Sequence, residues 1–112
     1  MDTHLKPAAL HILLALAGGD AHGYAIMQRV RERSSGRVSL GTASLYRHLA
    51  RLIDAGMIAE IDVRRGRDDP RRGVSYRLTA RGRQALEAER RRLADLVAAM
   101  DGLRLASRRR SA

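Results

Sequence analysis

Apolar positions recur at two different periods along this 112-residue chain, and the change of period marks out its elements. In residues 39–58, SLGTASLYRHLARLIDAGMI, Leu45, Leu49, Leu52 and Ile53 fall at i, i+4, i+7 and i+8. That is one stripe at the helical period, so the stretch predicts an amphipathic helix capped by Thr42 or Ser39 and ended by Gly56. The opposite side carries Ala43, Arg47, Ala50, Arg51 and Asp54, with Ser44 beside them. Taken alone, such a helix reads as a surface helix with a solvated basic face.

The flanking sequence changes that reading. Residues 7–17 open with a proline suited to a first helical turn and place Leu10, Leu13, Leu14 and Ala17 on one face. Gly18-Gly19-Asp20 stops that helix, and either Asp20 caps the next one or His22-Gly23 begins it. Residues 21–33 put Tyr24, Met27 and Val30 on the packing side, with Ile26 on a flank and Arg29, Arg31, Glu32 and Arg33 outward. After Gly56, Met57 to Val63 alternates with a period of two, and so does Val74 to Leu78, hence two strands of a hairpin. Between them lies RRGRDDPRRG, residues 64–73, a polar turn with five arginines. Thr79 then caps a fourth helix predicted to run to about Leu105, followed by a basic, disordered tail at 106–112. Helix, helix, helix, strand, basic loop, strand is the order of a winged helix-turn-helix. The expected class is therefore mainly α with a small β-hairpin, an α+β fold in which 1–78 form the winged domain and 79–105 a long C-terminal dimerisation helix.

That last helix carries a heptad-like seam. Leu86, Leu93 and Met100 lie seven apart, as do Leu96 and Leu103, with Val97 beside them and Glu89 interrupting the first turn. The seam folds back on helix one of its own chain or meets a second copy, and its length favours the homodimer.

Composition narrows the partners. The formal net charge is +10, from 22 Lys+Arg against 12 Asp+Glu, and this excess points to a polyanion, nucleic acid first. Hydrophobic content of 45% is enough for a packed domain, while aromatics at 3% make the core aliphatic and leave few side chains to stack on bases or flat ligands. There is no cysteine, so packing and association must supply the stability. The longest apolar run, residues 7–17, is too short to span a bilayer and lacks a signal-peptide layout, so a cytoplasmic location is expected and no membrane partner. His4, His11, His22 and His48 show no metal spacing with carboxylates, and no nucleophile triad, phosphate loop or paired-acid cluster stands out. An enzyme, a metal and a cofactor are not expected.

Three segments, HGYAIMQRV at 22–30, LGTASLYRHLARLIDAGMI at 40–58 and YRLTARGRQALEAE at 76–89, together resemble the PadR-like transcriptional regulators. The resemblance implies a homodimer that represses transcription from palindromic operators, of the smaller subfamily with a single dimerisation helix. Two departures stand out. Arg47 occupies the position where the family usually has proline after Leu-Tyr, and Gly73-Val74-Ser75 replaces a basic residue and a tyrosine before Tyr76.

The expected function is thus sequence-specific binding to double-stranded DNA, with helix 42–55 in the major groove. Arg47, Arg51 and Ser44 are the candidates for reading bases, since arginine can bridge guanine O6 and N7. For Arg51 an ion pair with Asp54 or Asp20 is the competing role. Thr42 and Tyr46 suit phosphates, Tyr46 matching the family tyrosine, with a core-edge aromatic as the alternative. Arg64, Arg65, Arg67, Arg71 and Arg72 of the wing suit the backbone or minor groove, with Asp68 and Asp69 among them leaving some of the five solvated. Tyr24 is read as core packing with its hydroxyl at the surface. Leu86, Leu93, Leu96, Val97, Met100 and Leu103 form the expected dimer interface. A small-molecule effector of unknown identity has room there, but not by aromatic stacking. Two other functions fit the same fold: a protein-interaction adaptor and a nonspecific architectural DNA binder.

Overall fold

The described residues form six elements: α1 (Pro7–Ala17), α2 (Gly23–Arg33), α3 (Thr42–Asp54), β1 (Ile58–Asp62), β2 (Val74–Leu78) and α4 (Ala80–Ser111). They are those of a computed structural model that describes residues 5–62 and 74–111, the side chains of Asp62 and of residues beyond Leu103 excepted. The wing loop and its arginines Arg64, Arg65, Arg67, Arg71 and Arg72 lie outside the described residues. The architecture is the mainly α, small-hairpin winged helix-turn-helix expected.

One aliphatic core holds the three short helices and the sheet together. Ile12, Leu13, Ile26, Val30, Leu45, Leu49 and Ile58 are its largest fully buried members, and Tyr76 and Leu78 close it from the strand side. Removing that much aliphatic surface from water is the main force assembling the domain.

Two helix faces differ from those expected. In α2 the buried stripe is Gly23, Ile26 and Val30; of the expected Tyr24, Met27 and Val30, Val30 is buried and Met27 is half-buried against the core, but Tyr24 is outside it. Tyr24 is 61% exposed and its hydroxyl accepts a hydrogen bond from Gln28 Nε2 at 3.1 Å. The cause is phase: the helix begins at Gly23, and the side that meets α3 runs through that glycine. Arg29 does not look outward either, since its guanidinium donates to the carbonyls of Ala15 (2.9 Å) and Gly19 (3.1 Å) at the end of α1. In α1 the buried residues are Ile12, Leu13, Ala15 and Leu16, while Leu10 and Leu14 are half-buried and Ala17 is exposed. That helix is apolar almost all round, so periodicity alone could not choose its inner face.

The start of α2 follows the second of its two expected alternatives, and the start of α3 departs from expectation. His22 is the N-cap of α2, its ring accepting from the Ala25 N–H, whereas Asp20 pairs with Arg77. Gly41, not Thr42 or Ser39, occupies the N-cap of α3 and makes no side-chain cap, so Thr42 is the first helical residue. The other end of α3 is as expected. Gly56 has φ of 75°, and the Met57 and Gly56 N–H groups bond back to the Leu52 and Ile53 carbonyls, both at 2.9 Å.

β1 and β2 pair antiparallel with Ile58 opposite Leu78 and Glu60 opposite Tyr76. On its free edge β2 bonds to the α1–α2 connection, Tyr76 N–H to Ala21 O at 2.8 Å and Ala21 N–H to Tyr76 O at 3.2 Å. The wing is thereby tied to the helix-turn-helix by backbone as well as by side chains.

Thr79 fastens the sheet to α4. Its hydroxyl donates to the Gly56 carbonyl at 2.6 Å and accepts the Gly82 N–H at 3.1 Å, capping α4 while holding the end of α3. Thr79→Val keeps the shape and removes both bonds, so it should lower the unfolding free energy by about 1–2 kcal/mol, read as a lower urea midpoint at unchanged slope. α4 itself continues to Ser111, past the tail expected from residue 106, because nothing after Gly102 breaks a helix. Its first turns pack on α1: Leu86 is half-buried against the core, and Glu89, only 3% exposed, is held by Arg92. Leu86 therefore belongs in large part to its own domain, and Glu89 lies on that internal side instead of breaking an outer seam. Among the described residues no helix is long and apolar enough to cross a membrane, and no group of three metal-ligating side chains comes together.

Candidate nucleic-acid interface

Three buried leucines fix the orientation of α3. Leu45, Leu49 and Leu52 pin one side of the helix into the core, which leaves Thr42, Ala43, Tyr46, Arg47, Ala50 and Arg51 exposed on the other. Ile53, grouped with the buried stripe by spacing, sits at its edge and is 36% exposed. The outward face thus has small side chains between two long cations, a relief that lets a helix lie close to a ridged polyanion.

Arg47 and Arg51 are on successive turns of that face. No ion pair is formed by either of them among the described residues. The competing role for Arg51 is absent: Asp20 is taken by Arg77, whose Nη2 lies 2.9 Å from Asp20 Oδ2. This exposed pair raises the Arg77 pKa above its ordinary value, chiefly by hydrogen bonding and then by charge attraction. Ser44 is half-buried, its carbonyl 2.8 Å from His48 Nδ1. It therefore lies beside the exposed face and not at its centre.

Tyr46 lies across the junction of α3 with α2. It is 48% exposed, so neither a core residue nor a free one. Its hydroxyl rests over Gly23, where an added Cβ would come within 2.5 Å of the oxygen. Tyr76 of β2 has its pKa raised by burial first and then by charge interaction with Tyr46 and Glu60. Thr42, at the first turn of α3, and Tyr46 share the exposed face with the arginines.

A second surface lies on α4. Leu93, Leu96, Val97, Met100 and Leu103 are 38 to 71% exposed, an aliphatic stripe with no cover in the single chain. Where α4 leaves α1, a groove of about 350 Å³ opens between them, lined by Leu10, Leu14, Leu86 and Leu93 and rimmed by Arg83, Glu87 and Arg90. Arg90 holds the Glu87 carboxyl down at about pKa 2, with Arg91 adding to it, so this rim stays charged at any physiological pH.

Sequence reasoning missed Gly23 and Arg77. Arg77 could have been suspected only by knowing that β2 runs beside Asp20, which no local pattern states.

A three-helix domain with a β-hairpin and an exposed third helix defines the winged helix-turn-helix class. The family model for the transcriptional regulator PadR-like family matches residues 12–88. The chain belongs to that family, as its motifs implied. It is 38% identical over 89 residues to an uncharacterized 37.1 kDa protein in transposon Tn4556 of Streptomyces fradiae, an overlap covering 80% of this chain and 24% of that protein. The chain therefore spans about a quarter of the length of that relative. Among solved structures it is similar to a PadR family transcription regulator from Clostridium difficile, at 23% identity and a TM-score of 0.73 over 88% of this chain and 98% of that one. It is also similar to Bacillus subtilis PadR, solved in complex with operator DNA, at 26% identity and a TM-score of 0.64 over 74% of this chain and 46% of that one. F93 from STIV, a winged-helix DNA-binding protein, matches at 19% identity and a TM-score of 0.65, with 84% of this chain and 95% of that one covered.

Proposed function

We propose that this chain is a sequence-specific, homodimeric transcriptional repressor that places α3 in the major groove of each half of a palindromic operator. The observation that carries the reading is the free pair Arg47 and Arg51 on the exposed side of a helix whose other side is locked in the core. Arg47 and Arg51 read base edges, with Ser44 at the margin of the contact. Thr42 and Tyr46 hold phosphates, and wing arginines such as Arg71 and Arg72 hold the backbone or minor groove. Association through the aliphatic stripe of α4 sets the spacing of the two half-sites. The B. subtilis relative bound to operator DNA and the net charge of +10 support the DNA reading over a protein-interaction adaptor. The protein works in the cytoplasm, where its DNA is. A small effector, if one acts here, is met by aliphatic side chains, since α4 carries no aromatic residue.

A mobility-shift series with promoter DNA of the chain's own gene and with scrambled DNA, across salt, tests the proposal. Specific binding should be orders of magnitude tighter than nonspecific binding. Equal affinity for both would mean an architectural binder, and no binding at low salt an adaptor. Within the series Arg47→Ala should lose about 1–3 kcal/mol of discrimination, while Arg71→Ala should weaken all sequences alike and lower the salt slope by about 1. Identical losses for the two variants would refute the division of roles.

A further inference from the structure

We infer that Gly23 is a positioning residue for DNA binding: by lacking a side chain at the first position of α2, it makes the seat that fixes the Tyr46 hydroxyl on the exposed face of α3. The inference rests on the reading of Tyr46 as a phosphate contact.

Gly23 is a glycine that the backbone does not require. Gly23 is not among the residues of positive φ, and it begins a helix, where alanine is the better residue. The reason for glycine must be space. A Cβ built at Gly23 would lie 2.5 Å from Tyr46 Oη and 3.1 Å from Tyr46 Cζ, against an ordinary 3.4 Å from Leu45 Cδ2. The obstructing atoms are the far end of one flexible side chain, so the fold can relieve the clash by swinging Tyr46 away. Core packing is kept, and the hydroxyl is displaced.

Tyr76 and Glu60 are partners across the sheet, and the ionisation of Tyr76 is opposed by burial first and then by Tyr46 and Glu60. The Tyr46 hydroxyl is seated at the start of α2, over Gly23. A side chain with only two rotatable torsions, its hydroxyl seated against the backbone at Gly23, presents that hydroxyl with little entropy left to lose on binding. Moving it by an ångström or more takes a hydrogen-bond donor out of reach of a phosphate oxygen.

The experiment is a double-mutant cycle with Gly23→Ala, Tyr46→Phe and the pair together. It uses a duplex selected by the wild-type protein from a random pool, and thermal melting of the same four proteins. Gly23→Ala should weaken binding about tenfold per half-site, matching Tyr46→Phe, with the salt slope unchanged because neither substitution alters a charge. Adding Gly23→Ala to Tyr46→Phe should cost less than twofold more. In melting, Gly23→Ala should stay within a few degrees of the parent. Wild-type affinity in Gly23→Ala, a loss equally large in the Tyr46→Phe background, or an unfolded Gly23→Ala protein that Tyr46→Phe does not restore would each overturn the inference. If Tyr46→Phe itself binds as tightly as the parent, the phosphate role of Tyr46 fails instead, and the inference with it.

Discussion

Gly82→Ala should lower the stability of the domain by about 3 kcal/mol, although alanine is the better helix former. Gly82 lies in the first turn of α4 and is buried. A Cβ there would meet the Met57 carbonyl oxygen at 2.1 Å and Leu78 Cδ1 at 2.6 Å. The carbonyl is backbone that also accepts the Thr79 N–H at 3.1 Å, so it cannot turn away. Relief requires α4 to move off the sheet, which breaks the Thr79 bonds and unpacks Leu78. In a domain with roughly 5–15 kcal/mol to lose, this should appear as a fall in melting temperature of about 10 °C or more. Glycine at this place permits close approach of helix and strand, which the positive-φ explanation does not cover, because Gly82 is helical. A melting temperature equal to or above that of the parent would show that α4 is free to shift.

The second large effect is expected on α4 further out. Val97→Glu with Met100→Glu should turn the proposed dimer into monomers without unfolding the winged domain. Both side chains are about half exposed in the single chain and no core cluster includes them. Burying two carboxylates against a partner's apolar stripe is costly unless each finds a counter-charge. Sedimentation equilibrium should then report a monomer, and the melting temperature should lose its dependence on protein concentration. Operator affinity should fall by about 10²-fold or more, because each half-site is then bound without the effective concentration supplied by the other. A variant that remains dimeric would move the interface elsewhere, with the α1–α4 groove around Leu10 and Leu93 the next surface to test.

Local patterns and spatial neighbours divided the reading of this chain. The strand from Val74 to Leu78 and the stop at Gly56 were legible residue by residue, since a two-residue period and a left-handed glycine are local events. So was the Thr79 cap, whose hydroxyl needs only the amide three residues on. The inner face of α1 was not legible, because leucines and alanines surround it. Nor was the face of α2, where the large Tyr24 looked like core and the small Gly23 was the residue turned inward. Size is a poor guide when the neighbour, here Tyr46, needs the room.

The sequence by itself determined the order of elements, the exposed side of α3 and the surplus of positive charge. These follow from periodicity and composition, which survive any arrangement of the parts. Only the tertiary structure decided which arginines of the described residues remain free. Arg29 caps α1, Arg77 takes Asp20 and Arg92 holds Glu89, while Arg47 and Arg51 form no ion pair. It also separated the two halves of the last helix, with Leu86 against its own core and Leu96 to Leu103 exposed. An ion pair or a packed leucine depends on residues far away in sequence, and that proximity exists only once the chain has folded.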